Sequence, residues 1–308
     1  MHGILLVDKP EDMTSSHVVK ILKHLVKPAK VGHTGTLDPA ASGLLVLLIG
    51  AATRTLDYLD ESKKRYKLTV RLGEQTDTDD RDGTVVRSED PSAVTSDQIE
   101  QVLGAYTGVM DQVPPHYSAI KKNGVPLYKL ARKGVLLPLE PRKVEIFSLE
   151  MGKWEPPFLD LELVCSKGAY ARSLARDIGN DLGVGGRLER LRRTESGPFA
   201  VDDSMTVQDI DTGGVEIVSQ NLISVPEALS HIPDLQISSP ELRRILRGSP
   251  FTLARSRVPR SDLFCNRQSH LFKIVSGNGS VVILVRCEPK GTEVSVRPVR
   301  VFSTLGNG

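Results

Sequence analysis

The residues best suited by type and spacing to do chemistry lie between Val31 and Gly43, a loop rich in glycine and hydroxyl groups that carries a single carboxylate, Asp38. Loops held on a rigid scaffold are where reactive groups collect. Pro39 disfavours the helical conformation at Asp38 and leaves it extended or in a turn. A carboxylate held that way can be aimed, as a nucleophile or as a general base. An Asp-Pro pair is also ordinary turn chemistry, in which the carboxylate caps nearby backbone. Spacing alone does not separate the two readings.

Other candidate chemistries are poorer. Thr78, Asp80, Asp82, Gly83 and Glu89 fall at the ligand and turn positions of a calcium loop, but the first ligand is a threonine and the residues before it alternate like a strand, so a polar hairpin turn is expected. Gly32-His33-Thr34-Gly35 has the Gly-x-x-Gly form of an RNA-clamping loop, a pattern too short to stand alone. Neither a phosphate loop nor a Gly-x-Gly-x-x-Gly after a strand is present, so nucleotide cofactors have no support. A hydrolase built on Ser42, His33 and Asp38 lacks the Gly-x-Ser-x-Gly elbow. Cys165, Cys265 and Cys287 form no close pair, and the histidines sit at no metal-ligand spacing. No disulfide framework, no metal and no cofactor are expected.

The elements that must position Asp38 read as mixed α and β. Ile4 to Val7 and Leu44 to Ile49 are short apolar runs suited to buried strands, and Tyr66 to Leu72 alternates as a half-buried strand does. Val85-Val86 is expected to return antiparallel to that last strand. Thr14-Ser15-Ser16 offers an N-cap for an amphipathic helix through Val18, Ile21, Leu22 and Leu25, which Pro28 ends. Ser96 to Leu103 and Ser173 to Leu182 read as helices, Leu159 to Cys165 and Val281 to Cys287 as strands. Thr212-Gly213-Gly214 and Ser238-Ser239-Pro240 read as punctuation, and Gly277-Asn278-Gly279 as a hairpin turn. A boundary is placed near residue 234, with a small β-barrel-like module after it.

Charge is partitioned along the chain. The net charge is only +2, but residues 74 to 111 hold ten acids and two bases, 116 to 145 seven bases and two acids, and 235 to 308 twelve bases and four acids. Two separate basic blocks suit a surface that meets a polyanion, although basic runs are often no more than solvated faces. With no run of about 18 apolar residues and no signal segment, a soluble cytoplasmic monomer with no membrane partner is expected.

Several segments, taken in order, resemble the pseudouridine synthases that modify the T-loop of tRNA, the TruB family. They are Gly32-His33-Thr34-Gly35-Thr36-Leu37-Asp38-Pro39 with Ala41-Ser42-Gly43, Lys64-Arg65-Tyr66, Gly73-Glu74-Gln75-Thr76-Asp77-Thr78-Asp79 and Tyr117-Ser118-Ala119-Ile120-Lys121, followed by Cys165 through Arg172 and Leu191-Arg192-Arg193. The resemblance covers residues 3 to about 232, and the basic tail more loosely. It implies an α+β pseudouridine synthase catalytic domain over 1–232, with a mixed, mainly antiparallel sheet flanked by helices and an RNA-binding thumb at about 116–145. A PUA-like RNA-binding domain would follow over 235–308.

The implied reaction needs no cofactor: uracil of the T-loop uridine (position 55) is detached from its ribose, rotated and rejoined through carbon. Asp38 matches the essential aspartate, as nucleophile or base, and Arg172 the arginine that pairs with it and favours its ionisation. The target base must be flipped out of its stack. Tyr66 matches the tyrosine that stacks on it, Tyr170 one that contacts it in the pocket, Leu191 an apolar pocket wall, and His33 the residue that fills the vacated space. Lys121, Lys122, Lys129, Arg132 and Lys133 are implied phosphate partners in the thumb. Lys9-Pro10 resembles an N-terminal motif assigned here to RNA binding, with Asp12 where a glycine is usual. The implied partner is the tRNA T stem-loop without guide RNA, since a guide-dependent relative is expected to carry an N-terminal extension. A non-catalytic tRNA-binding or folding module is the rival, against which Tyr66 and Arg172 argue.

Overall fold

The structure is a computed structural model that describes residues 1–60, 62–118, 120–122, 124–259, 269–276 and 279–303. Cys265, Ala119 and the Gly277-Asn278 part of the expected hairpin turn lie outside the described residues.

In chain order the first half comprises β1 (Gly3–Lys9), α1 (Ser15–Leu25), β2 (Val31–His33), β3 (Ser42–Ile49), β4 (Lys63–Leu72), β5 (Glu74–Thr76), β6 (Val85–Ser88), α2 (Ser96–Gly104) and β7 (Gly108–Gln112). The second half comprises β8 (Lys121–Lys122), β9 (Val125–Pro126), α3 (Leu127–Ala131), β10 (Arg142–Glu155), β11 (Phe158–Ser166), α4 (Ala171–Asp181), β12 (Gly186–Ser196), β13 (Phe199–Ala200), β14 (Met205–Thr206), α5 (Val207–Gln220), α6 (Val225–Ala228), α7 (Ser239–Leu246), β15 (Phe251–Ala254), β16 (His270–Val275), β17 (Val281–Lys290) and β18 (Glu293–Ser303). Among the described residues no helix is long and apolar enough to cross a membrane.

The apolar run from Leu44 becomes β3, buried on both faces except at Ser42. A strand covered on both sides loses the period-two alternation and reads as continuous hydrophobic sequence. One face packs under α1 and α5, where Val18, Leu22, Ile210 and Val218 meet Leu45, Leu47 and Ile49. The other packs on α6 and, across it, on Val282, Leu284 and Phe302 of the tail. The sheet runs β14-β1-β3-β12-β4-β11-β10-β7, with β2 on β3 and β13 on β12. Only the β1–β14 and β3–β12 pairs are parallel. The sheet is therefore mixed and mainly antiparallel, flanked by helices, as expected.

One local expectation is corrected. Val85-Val86 pairs not with β4 but with Glu74–Thr76, because β4 already has β11 and β12 on its two edges. The stretch Thr212-Gly213-Gly214 does punctuate the chain: Gly214 is non-helical (φ 59°, ψ −145°) and kinks α5 into two helical pieces. Among the described residues the tail is a four-stranded sheet, β15-β18-β17-β16. Its strand β17 sends Val282 and Leu284 into the core of the large sheet and Ile283 and Val285 into the tail's own core beside Phe272 and Val296.

Helix α4 is seated against β12 by two glycines. A Cβ on Gly179 would lie 2.2 Å from the Gly186 nitrogen, and one on Gly186 2.7 Å from the Ala175 oxygen. Only hydrogen fits where the two backbones approach this closely. The Tyr106 hydroxyl donates to Asp181 at 2.7 Å and the Ser173 hydroxyl to the Val113 carbonyl at 2.8 Å, tying the helix at both ends. Gly186→Ala is expected to cost about 1–3 kcal/mol through overpacking. Gly104→Ala, in open space at the end of α2, should change stability by less than about 1 kcal/mol. Urea unfolding of the two variants checks this, and equal midpoints would contradict the seating.

Candidate active site

The Asp38 loop is clamped before it reaches its carboxylate. The Ser15 hydroxyl accepts from the Leu37 amide at 2.9 Å and donates to the Leu37 carbonyl at 3.0 Å. The Lys9 ammonium, fully buried, donates to the carbonyls of Pro10 (2.8 Å), Met13 (2.6 Å) and Pro39 (3.2 Å). Burial pushes Lys9 down to about 8, against the pull of Asp12, Asp38 and Glu11, so it remains charged at neutral pH. On the far side Arg193 donates to the carbonyls of Leu44 at 2.7 Å and Gly35 at 3.1 Å.

Held this way, Asp38 presents Oδ2 to Arg172 Nε at 3.1 Å, with the arginine side chain 6% exposed and the aspartate 45%. The carboxylate is reachable while its partner is sealed in. Both terminal nitrogens are engaged as well: Nη1 meets Asp80 Oδ2 at 3.3 Å and the Thr78 carbonyl at 3.2 Å, and Nη2 donates to the Tyr117 carbonyl at 2.9 Å. Asp80 is itself oriented by the Thr78 hydroxyl at 2.6 Å and the Asp82 amide at 3.1 Å. Burial raises the Asp38 pKa, Arg172 lowers it, and Asp80 adds a smaller upward push. The neighbouring Asp79, buried against Arg176 at 2.9 Å, is pushed up to about 6, chiefly by burial.

Asp38 and Arg172 open on a cleft of about 280 Å³ whose walls include Tyr66, Tyr170, Leu191, Lys64, Ser118 and Arg193. Tyr66 comes from β4, directly opposite Arg193 in the β12 ladder. Tyr170 stands just before α4, where the buried Gln112 amide accepts from the Tyr170 amide at 2.8 Å and donates to its carbonyl at 3.1 Å. Burial raises both tyrosine pKa values, so both hydroxyls are protonated at neutral pH. Two rings and a leucine around a carboxylate suit a flat heterocycle stacked beside a reacting carbon.

Four of the expected groups, Asp38, Arg172, Tyr66 and Tyr170, therefore meet in one cleft, with Leu191 on its wall. Leu191 comes from strand β12. His33 does not line this cleft. It borders a neighbouring concavity with Ser16, Val19, Lys20 and Lys23. Lys9 is a correction: its ammonium is spent inside the fold and is not available to a phosphate. Lys121, Lys122, Lys129, Arg132 and Lys133 are all exposed on the β8–β9 hairpin, on α3 and just after it. The thumb reaches the site through Tyr117 and Ser118. Sequence reasoning gives no role to Asp80, Gln112, Ser15 or Arg193. For Asp80 a signal exists, since Thr78, Asp80 and Asp82 alternate at a spacing that also fits a calcium loop. Among the described residues no cluster of three or more metal-ligating side chains occurs.

Comparisons with known proteins agree with this geometry. A family model described as TruB family pseudouridylate synthase (N terminal domain) matches residues 23–171, and one described as tRNA pseudouridylate synthase B C-terminal domain matches 172–220. The border between them falls at the start of α4, inside one sheet. Relatives named tRNA pseudouridine synthase B include one from Syntrophotalea carbinolica, 43% identical over 252 residues that make up 82% of each chain. Another, from Clostridium perfringens, is 37% identical across 94% of this chain and 97% of the relative. Among solved structures, a Cbf5-Nop10-Gar1 complex aligns with TM-score 0.70 and 25% identity over 97% of this chain and 84% of that one. An H/ACA RNP bound to a substrate RNA aligns with TM-score 0.68 and 23% identity over 97% of this chain and 84% of that one, a likeness of fold.

Since Arg172 lowers the Asp38 pKa against the raising effect of burial, Arg172→Gln is expected to move it further above the ordinary value. A ¹³C NMR titration of aspartate carboxyl carbons checks the sign, and a fall on substitution would contradict the pairing.

Proposed function

The chain belongs to the TruB family of pseudouridylate synthases, and from that premise we propose that it isomerises the T-loop uridine of tRNA to pseudouridine without a guide RNA. The observation that carries the reading is the reachable Asp38 carboxylate at 3.1 Å from a sealed arginine, in a cleft walled by two tyrosines and a leucine. Asp38 acts on the substrate as nucleophile or base, and either role needs it ionised. Arg172 supplies the charge that keeps it so. Tyr66 stacks on the extruded uracil, Tyr170 and Leu191 close the pocket, and His33 fills the space that the base leaves.

Affinity comes from the surface around the cleft. The exposed thumb cations and Arg243, Arg244 and Arg247 at the end of α7 provide two basic patches, the second on a tail that we read as a PUA-like module. A guide-dependent role is less well supported, because the relatives at 37–43% identity carry the tRNA enzyme's name whereas the guide-associated structures are 22–25% identical.

Incubation with an unmodified tRNA transcript alone is expected to yield pseudouridine in the T-loop, and Asp38→Asn to abolish product while tRNA binding changes less than about threefold, roughly 0.6 kcal/mol. Product formed only after addition of a guide RNA, or substantial turnover by the variant, would overturn the assignment. In the thumb, Lys121→Ala with Lys122→Ala should lower the slope of log affinity against log salt by about 0.7–0.9 for each phosphate left unneutralised. An unchanged slope would remove these lysines from the interface.

A further inference from the structure

Arg193 differs from the other buried and half-buried arginines. Arg172 has Asp38 and Asp80, Arg176 has Asp79 and Asp177, and Arg187 has Glu74 and Glu189. Arg193 is 1% exposed, yet among the described residues no carboxylate oxygen lies within 4.0 Å of its guanidinium. Its bonds to protein go to neutral groups, the carbonyls of Leu44 and Gly35 and the Tyr66 hydroxyl. The charge it feels from Lys9 inside the fold is of the same sign. Arginine does not shed its proton to escape such a site, and a buried charge without a counter-ion is costly. The guanidinium lines the Asp38 cleft beside Tyr66, so the missing anion can only come from what enters that cleft. Fixed donors aimed at a position where charge develops are the usual way a site stabilises a transition state.

We propose that Arg193 is a catalytic residue whose guanidinium takes up the negative charge developing on the uracil ring as its bond to ribose breaks. The inference rests on the isomerase reading above. The C1′–N1 bond breaks with its electron pair left on N1 and delocalised onto the two ring carbonyl oxygens, one of which accepts an N–H from Arg193 without proton transfer. The sugar is met by Asp38, either forming a bond to C1′ or taking the C2′ proton. After the ring turns, C5 forms the new bond to C1′ as the carboxylate leaves it, or as the C2′ proton is returned across the C1′–C2′ double bond. C5 then loses its proton and N1 gains one. In both routes the ring departs as an anion, so the role of Arg193 does not depend on which one Asp38 follows.

The test uses the full protein, Arg193→Gln and Arg193→Lys, and tRNA transcripts carrying uridine or 5-fluorouridine at the target. Fluorine withdraws electrons, so the departing ring needs less help. Arg193→Gln is expected to slow single-turnover conversion of uridine about a hundredfold, which is about 2.7 kcal/mol, with tRNA affinity within about twofold. For glycosidic cleavage of 5-fluorouridine the defect should shrink to about tenfold, and Arg193→Lys should recover at least about tenfold of the loss. Equal defects on both bases, a loss confined to affinity, or equal impairment of both variants would each overturn the proposal. If Arg193→Gln does not fold, Arg193→Lys carries the comparison of the two bases by the same criterion. Wild-type protein that makes no pseudouridine would overturn the isomerase reading itself, whereas an active wild type with an unimpaired variant overturns only the role of Arg193.

Discussion

The site depends on one buried guanidinium. Arg172 is nearly sealed from solvent and bonds at once to the Asp38 loop, to Asp80 on the turn between β5 and β6, and to Tyr117 at the root of the thumb. These come from three parts of the chain that share no strand pairing at those positions. A buried arginine is costly without acidic partners, so the two carboxylates help hold each other's segments in place through the shared cation. The same contact that favours ionised Asp38 therefore also sets where the loop, the turn and the thumb root stand.

Around this hub the loop is fixed from two sides. Ser15 and Lys9 bind its backbone from the α1 side, and Arg193, which also lines the cleft, binds it from the β12 side. All three are buried polar groups that donate to carbonyls of the loop. The sheet makes that possible: β12 runs beside both β3 and β4, bringing Arg193 between the loop and Tyr66. The Gly179–Gly186 contact sets the height of α4, and with it Arg172, above the same strand. Site precision thus rests on close backbone packing rather than on flexible loops.

Much of this was legible from the chain. The apolar runs at Ile4 and Leu44, the alternation at Tyr66 to Leu72 and the capping residue Thr14 all became the elements they suggested. Patterns of period two or 3.6 record which face is buried, and burial is what a local sequence encodes. The misreadings were of partnership. Val85-Val86 carries a strand signal but nothing that says which edge is vacant. Lys9 carries a charge but nothing that says it lies under a loop of carbonyls 30 residues later in the chain. Composition likewise cannot show that Val282 and Leu284 of the basic tail join the core of the large sheet.

By itself, the sequence determined the kinds of element, the strand faces, the polar turn at 78–83, and, through motif resemblance, that Asp38, Arg172, Tyr66 and Tyr170 belong to one site. Tertiary structure alone decided how they meet: that Arg172 also binds Asp80, that Gln112 orients Tyr170, that Lys9 is interior, and that His33 faces a neighbouring concavity. The physical reason is range. Propensity and periodicity act over a few residues, whereas an ion pair or a buried hydrogen bond joins whatever the folded sheet brings within about 3 Å, and a one-dimensional sequence does not state that distance.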